Sequence, residues 1–153
     1  MPVISVIMGV YNVKSEEMAE MSILSVLNQT FRDFEFIICD DGSDNDTENV
    51  IKKIVKDDTR VKFIKNETNK GLAFTLNHCL KYASGEYIAR MDIDDYSYPE
   101  RFEKQLEYMK KNETISFCGT WAELFDDSGV WGVRKRPIHP TKQDLLFGPT
   151  VIH

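Results

Sequence analysis

At 153 residues the chain is long enough for one domain, residues 1–153, with its own core. Its 42% hydrophobic and 29% charged residues match a soluble globular protein. The formal net charge of −6 excludes nucleic-acid backbone and anionic lipid as main partners, since both require a basic face; the short run Arg134, Lys135, Arg136 reads as a solvated edge. The three cysteines, Cys39, Cys79 and Cys118, sit in separate apolar stretches without metal-ligand spacing, so they read as reduced, buried thiols of a cytoplasmic protein. No apolar run reaches the ~20 residues of a membrane helix, and Met1 leads into an apolar run with no charged leader region.

In chain order, VISVIMGV (3–10) is a nearly continuous β-branched run and predicts a strand covered on both faces. Ser15, Glu16 and Glu17 suit a helix start, and Met18, Met21, Leu24, Val26 and Leu27 supply the apolar stripe. FEFIIC (34–39) is the second strand, DDGSDND (40–46) a loop, and Thr47 to Val55 a short helix. VKFIK (61–65) is the third strand; after a turn at Thr68 to Gly71, Leu72, Thr75, Leu76, Cys79 and Leu80 mark the next helix. EYIARM (86–91) is the fourth strand, and Pro99 a first helical residue ahead of Phe102, Leu106 and Met109. TISFCGTWAEL (114–124) predicts a fifth strand, Asp127, Ser128 and Gly129 a hairpin turn, and Thr141 a cap for a last helix at Asp144 to Phe147.

Strands alternating with helices imply an α/β, Rossmann-like fold: a mostly parallel sheet with helices on both faces. Such sheets bind ligands outside the carboxyl ends of their strands. There the sequence places Gly9, Val10, Tyr11 and Asn12 after the first strand, Asp40 to Ser43 after the second, and Asp92, Ile93, Asp94 and Asp95 after the fourth.

RMDIDD (90–95) crowds carboxylates that repel one another unless a positive charge sits among them. Hard oxygen ligands without neighbouring His or Cys suit Mn²⁺ or Mg²⁺, which keeps positions for phosphate. If the backbone stays extended, Asp92 and Asp94 share a face; the plainer reading is a charged turn. DDGSDND divides in the same way. Asp44 or Asp46 caps the following helix, or a strand-end carboxylate accepts a hydrogen bond from a base or ribose. Tyr11 stacks on a base or fills the rim. There is no GxGxxG after the first strand and no GxxxxGK[ST], which removes the dinucleotide and P-loop readings. His78 reads as structural, while His139 and His153 have no nameable partner. A nucleotidyltransferase would need a Gly-rich basic loop in place of GVYNVKSEE, and a phospho-acceptor module an acidic pair where Tyr11 and Asn12 stand.

ISVIMGVYN, LNQTFRDFEFIICDDGSDNDT, NKGLAFTLNHCLKYASGEYIARMDIDD and YPERFEKQ, in this order and spacing, resemble the family 2 glycosyltransferases across essentially the whole chain. The resemblance implies an inverting enzyme of the GT-A fold. It would transfer a sugar from a nucleoside diphosphate, UDP above all, to a saccharide or lipid-linked saccharide in cell-surface polysaccharide synthesis. It implies that Asp40 binds the base with Asp41 close by, Tyr11 lines the base or ribose pocket and Asp92 faces ribose and diphosphate. Asp94 would ligate the metal with Asp92, Asp95 support it, and Lys70 close over the nucleotide. Gly9 stands where the family usually carries Pro or Thr. Leu76 precedes Asn77 where an Arg is frequent, which leaves Arg90 as the nearby cation for the diphosphate. Family members run longer, so the resemblance implies the nucleotide-binding half of a protein peripheral at the inner face of a membrane, with the catalytic base beyond His153. A fragment that binds nucleotide without catalysis is the alternative. Asp126 and Asp127 read as turn residues rather than bases.

Overall fold

The computed structural model describes residues 1–138. In chain order the elements are β1 (Ile4–Val10), α1 (Glu16–Leu27), β2 (Phe34–Asp40), α2 (Thr47–Val55), β3 (Val61–Lys65), α3 (Leu72–Leu80), β4 (Tyr87–Arg90), α4 (Arg101–Lys111), β5 (Ala122–Asp126) and β6 (Gly129–Arg134). The helix expected at Asp144–Phe147 with its cap Thr141, and His139 and His153, lie outside the described residues. The chain divides into two compact units, Met1–Lys104 and Gln105–His153.

The first unit is built on a four-stranded parallel sheet of order β3-β2-β1-β4. β1 and β2 are almost wholly buried, as continuous apolar runs require when helices cover both faces. Alternation sends Ile7, Ile37 and Cys39 to one face, where they form a cluster with Cys79 of α3 and with Ile64, Leu76 and Ala83. Val6, Met8, Phe36 and Ile38, also buried, take the other face. Right-handed crossovers explain the division. The chain steps from β1 to β2 to β3 in one direction and returns to β4 in the other, so α3 falls opposite α1 and α2.

Local chemistry sets the helix ends. Ser15 caps α1 by accepting from Met18 N–H at 3.1 Å, with Glu16 and Glu17 in the first turn. At the other end, Arg32 Nη1 and Arg60 Nη2 donate to Leu27 O at 3.0 and 3.1 Å, satisfying a terminal carbonyl with cations. α2 bears out Asp46 as the N-cap residue, but the side chain makes no capping bond to the helix N–H groups. Asn45 Oδ1 accepts from Thr47 N–H at 3.1 Å, while Asp46 is occupied by the Asn49 side chain. α4 starts at Arg101 rather than Pro99, whose carbonyl accepts from Thr30 N–H at 2.8 Å.

In the second unit, β5 and β6 form an antiparallel hairpin across Asp127 and Ser128, with a register shift at Leu124/Phe125. The expected strand over 114–124 begins only at Ala122: among the described residues, Thr114 to Gly119 have no ladder partner, and Ile115 N–H turns back to Asn112 O. Asp126 accepts from Ser128 N–H and Oγ at 2.8 and 2.6 Å; the Ser128 hydroxyl, and next its N–H, hold this carboxyl below the usual range. The reading of Asp126 as a turn residue holds.

Gly42 fixes how the loop after β2 meets the turn after β3. Its φ is +71°, and a Cβ there would lie 2.5 Å from the Thr68 carbonyl carbon, a backbone atom that cannot swing away. Gly42→Ala should therefore lower unfolding free energy by about 2–4 kcal/mol, more than left-handed strain alone, read from the urea midpoint. A loss under about 0.5 kcal/mol would show that the Thr68 turn yields freely.

Candidate active site

The chain order reverses beside β1, whose neighbours β2 and β4 are reached by opposite paths. That switch point, outside the carboxyl ends of β1 and β4, is where parallel sheets of this kind place their ligands. Here β1 runs into Tyr11, half-exposed at 48%, and Asn12, in the left-handed region at φ +47°. The segment is laced to the loop after β2. Asn12 N–H donates to Ser43 Oγ at 2.8 Å, Asp44 N–H to Asn12 Oδ1 at 3.1 Å, and Val13 N–H to Thr47 Oγ1 at 2.8 Å.

Asp40 and Asp41, adjacent in sequence, differ in environment. Asp40 is 0% exposed. Its Oδ1 accepts from Ser43 N–H and Oγ at 3.0 and 2.5 Å. Its Oδ2 is buried without a hydrogen bond of adequate geometry, although Lys65 Nζ lies 3.1 Å away as an ion-pair partner. Asp40, and next Glu48, hold the Lys65 ammonium above its usual pKa. Asp41 instead serves the fold. Oδ1 accepts from Asn66 Nδ2 at 2.8 Å and Lys70 N–H at 2.9 Å, and Oδ2 from Gly71 N–H at 2.8 Å. Lys70 thus meets the site through its backbone, and its side chain is exposed.

Asn66 was not legible as a site-building residue from the sequence, where it stands in a polar turn; the only signal was its place at the end of β3. It is buried and central. Its amide donates to Asp41 and to Thr75 Oγ1, leaving Oδ1 to face His78 Nδ1 at 2.7 Å. That network assigns the His78 proton to Nδ1. His78 is structural, as read.

The acidic run after β4 is not extended. β4 ends at Arg90, Ile93 and Asp94 lie in a turn, and Asp95 N–H bonds to Asp92 O at 3.3 Å. The expectation that strand alternation aligns Asp92 with Asp94 is corrected: the backbone turns before alternation can act. Arg90 supplies part of the counter-charge, with Nη2 at 3.1 and 3.0 Å from the two oxygens of Asp92. Its Nε is buried without a hydrogen-bond partner. Asp94 and Asp95 are exposed. Among the described residues, no group of three or more His, Cys, Asp or Glu side chains forms a metal cage. The oxygen donors fit Mn²⁺ or Mg²⁺ held by one or two carboxylates together with phosphate oxygens.

Asp41 gives a pH test. Burial pushes its carboxyl up, but hydrogen bonds from Asn66, Lys70 N–H, Thr75 and Gly71 N–H outweigh burial, and its pKa is lowered from 3.8. A lowered folded pKa contributes stability above the unfolded value and loses it as pH falls through the folded one. Asp41→Asn should thus be about 1–3 kcal/mol less stable than the parent at pH 7. The gap should narrow below about pH 4. Urea melts from pH 7 to pH 3 read this directly, and a pH-independent gap would remove the carboxylate's charge from the account.

Comparison with known proteins agrees with this geometry. Residues 5–153 match the family model described as Glycosyl transferase family 2. A putative glycosyltransferase EpsE of Bacillus subtilis is 42% identical over 153 residues, covering 99% of this chain and 54% of the relative. The Escherichia coli protein WfgD, named as a UDP-Glc:alpha-D-GlcNAc-diphosphoundecaprenol beta-1,3-glucosyltransferase, is 38% identical over 94% of this chain and 54% of its own length. The crystal structure of S. aureus TarS 1–349 in complex with UDP-GlcNAc superposes with a TM-score of 0.66 at 26% identity, covering 81% of this chain and 38% of that one. The chain thus spans about half the length of the curated relatives it matches. Matched over nearly its full length, and carrying the parallel sheet and rim that the resemblance implied, the chain belongs to glycosyltransferase family 2.

Proposed function

We propose that this chain carries the nucleotide-sugar-binding part of a metal-dependent inverting glycosyltransferase. The donor is a UDP-sugar, and the acceptor a hydroxyl of a saccharide or lipid-linked saccharide bound for cell-surface polysaccharide. The observation that carries the reading is a pair of buried atoms in the first unit: an acceptor, Asp40 Oδ2, met only by the movable Lys65 ammonium at 3.1 Å, and a donor, Arg90 Nε, without a hydrogen-bond partner. Buried polar atoms without partners are uncommon and ask for a ligand or a rearrangement. A pyrimidine N–H satisfies the first, and a diphosphate oxygen the second. Lys65, partly exposed and also paired with Glu48 at 3.2 Å, is the group beside Oδ2 that can move aside. Similarity to WfgD and to the UDP-GlcNAc complex of TarS supports UDP and a lipid-linked acceptor.

Each residue has one task in this scheme. Tyr11 stacks on the base or ribose, Asp40 accepts from the base, and Asp41 keeps the Lys70–Gly71 turn in place. Lys70 closes over the diphosphate, while Arg90 holds Asp92 and meets phosphate. Asp94 and Asp92, with Asp95 in support, would hold Mn²⁺ or Mg²⁺, which when bound would supply Lewis-acid stabilisation of the leaving diphosphate. Inversion needs a carboxylate that takes the acceptor proton from the opposite side of the sugar; we place it beyond His153. The whole protein works in the cytoplasm, peripheral to the membrane that carries the acceptor. In the second reading the chain only binds nucleotide; coverage of about half of its relatives' length favours testing it directly.

UDP should raise the melting temperature with Mn²⁺ or Mg²⁺ and hardly at all with EDTA, because diphosphate meets like charge at Asp92, Asp94 and Asp95. Equal shifts in the two conditions would sink the metal assignment. Asp94→Asn should fold, be no less stable without ligand, and lose the metal-dependent shift. An insoluble variant would make Asp94 a structural residue. With UDP-sugar, Mn²⁺ and candidate acceptors, this chain should release UDP slowly and without acceptor dependence; turnover near ten per second would place the base within residues 1–153.

A further inference from the structure

The loop between Asp95 and α4 carries the sequence Tyr96-Ser97-Tyr98-Pro99, and its middle residue is buried while its neighbours are not. Ser97 is 2% exposed, whereas Tyr96 and Tyr98 are 44% and 56% exposed. Tyr96 and Tyr98 thus face solvent while the residue between them turns inward. The two rings touch edge to face, centroids 5.7 Å apart and planes at 89°. Singly scattered surface aromatics are ordinary, but a contacting pair beside a cluster of site carboxylates is not.

The backbone under the rings is fastened to the end of α1. Ser97 N–H donates to Ser25 Oγ at 3.0 Å. Gln29, wholly buried, donates from Nε2 to Ser97 Oγ at 3.2 Å and to Tyr98 O at 2.8 Å. Its Oε1 accepts from Phe102 N–H at 3.1 Å. Thr30 N–H and Oγ1 donate to Pro99 O at 2.8 and 3.2 Å. A loop held this firmly presents its rings in a preset position, so a ligand would meet them without first ordering them. Gln29, Ser25 and Thr30 all act to hold the loop that carries the two rings.

We infer that Tyr96 and Tyr98 form a stacking platform for a pyranose ring at the sugar end of the site. The inference rests on the nucleotide-sugar reading above. In the strand order β3-β2-β1-β4, Asp40 lies at the end of β2, while the tyrosines follow β4 at the opposite edge. A nucleotide sugar is linear, base to ribose to diphosphate to sugar. With the base at β2 and the diphosphate at the β1/β4 switch point, the sugar lies on the β4 side. A pyranose with equatorial hydroxyls presents a face of axial C–H groups, slightly positive, to the negative face of an aromatic ring. Its hydroxyls need acceptors, and Asp94 and Asp95 precede the platform in the same loop, both exposed. Two rings come into question: the sugar of the donor, and that of the acceptor.

Isothermal titration of the full chain with Mn²⁺ separates them. UDP is compared with UDP-glucose, UDP-galactose and UDP-GlcNAc, and methyl β-D-glucopyranoside is titrated with and without UDP. The proteins are the parent, the double variant Tyr96→Ala/Tyr98→Ala and the double variant Tyr96→Phe/Tyr98→Phe, each checked for fold by circular dichroism. If the platform takes the donor sugar, at least one UDP-sugar binds more tightly than UDP. The alanine variant loses that gain, about three- to tenfold, and the phenylalanine variant keeps it. If it takes the acceptor sugar, glucoside binding shows the same pattern while the donor affinities stay level. The proposal is overturned if the alanine variant keeps both sugar contributions, or if the parent shows neither. Failure of the parent to bind UDP overturns the nucleotide reading instead, and the platform then stands or falls on the glucoside titration without nucleotide.

Discussion

A single buried carboxylate, Asp41, joins the segments that make the rim. Its own N–H bonds to Val10 O at 2.8 Å, tying it to the end of β1. Its oxygens hold the Asn66 amide beyond β3 and the Lys70 and Gly71 N–H groups at the entry to α3. Three strand ends and a helix start are thereby fixed relative to one another. Charge-assisted bonds to backbone N–H are stronger than neutral ones, and their low-dielectric setting strengthens them further. The same setting makes any missing partner costly, so the turn from Thr68 to Gly71 has little freedom to drift. Gly42 fits the same constraint, since its missing side chain lets the β2 loop lie directly against Thr68.

With Asp41 engaged below, Asp40 is left as the residue with an atom to offer. The two carboxylates are neighbours, and β2 ends between them. Alternation sends them to opposite sides, one toward Asn66 and α3, the other toward Ser43 and Lys65. Two adjacent carboxylates thus have different surroundings, one bound to backbone and amide N–H groups and the other to a hydroxyl and an ammonium. Gly9, where the family usually carries a larger residue, belongs to the same side as α3. A Cβ there would come within 3.1 Å of Leu72 Cδ1 and 3.2 Å of Thr75 Cγ2. The glycine lets α3 approach β1 closely, and Thr75 of that helix in turn meets Asn66. A substitution on β1 is therefore felt at the Asp41 network through packing alone.

The sheet was legible because its strands bury both faces and read as unbroken apolar runs; β3 and α2 appear with the bounds expected, and β1, β2 and β4 within a residue or so. The positions of Tyr11, Asp40 and the 92–95 run at strand ends followed from the fold class. What did not follow depends on partners distant in sequence. Asn66 and Gln29 are ordinary polar residues until the fold brings Asp41 to one and Ser97 to the other. The side-chain bond at the start of α2 went to Asn45 rather than an aspartate because Thr47 offers both its N–H and its hydroxyl to the same amide oxygen. The run 114–119 had strand composition, but composition cannot supply a neighbouring strand, and β-structure exists only in pairs.

The acidic run 92–95 shows how charge and backbone constrain each other. An extended D-x-D would aim two carboxylates at one point and concentrate their repulsion there. The turn at Ile93–Asp94 removes that alignment, and Arg90, two residues upstream, pairs with Asp92. Arg90 pairs with Asp92 through Nη2, while its buried Nε has no hydrogen-bond partner. A guanidinium this close to the run offsets part of the repulsion that clustered carboxylates otherwise suffer.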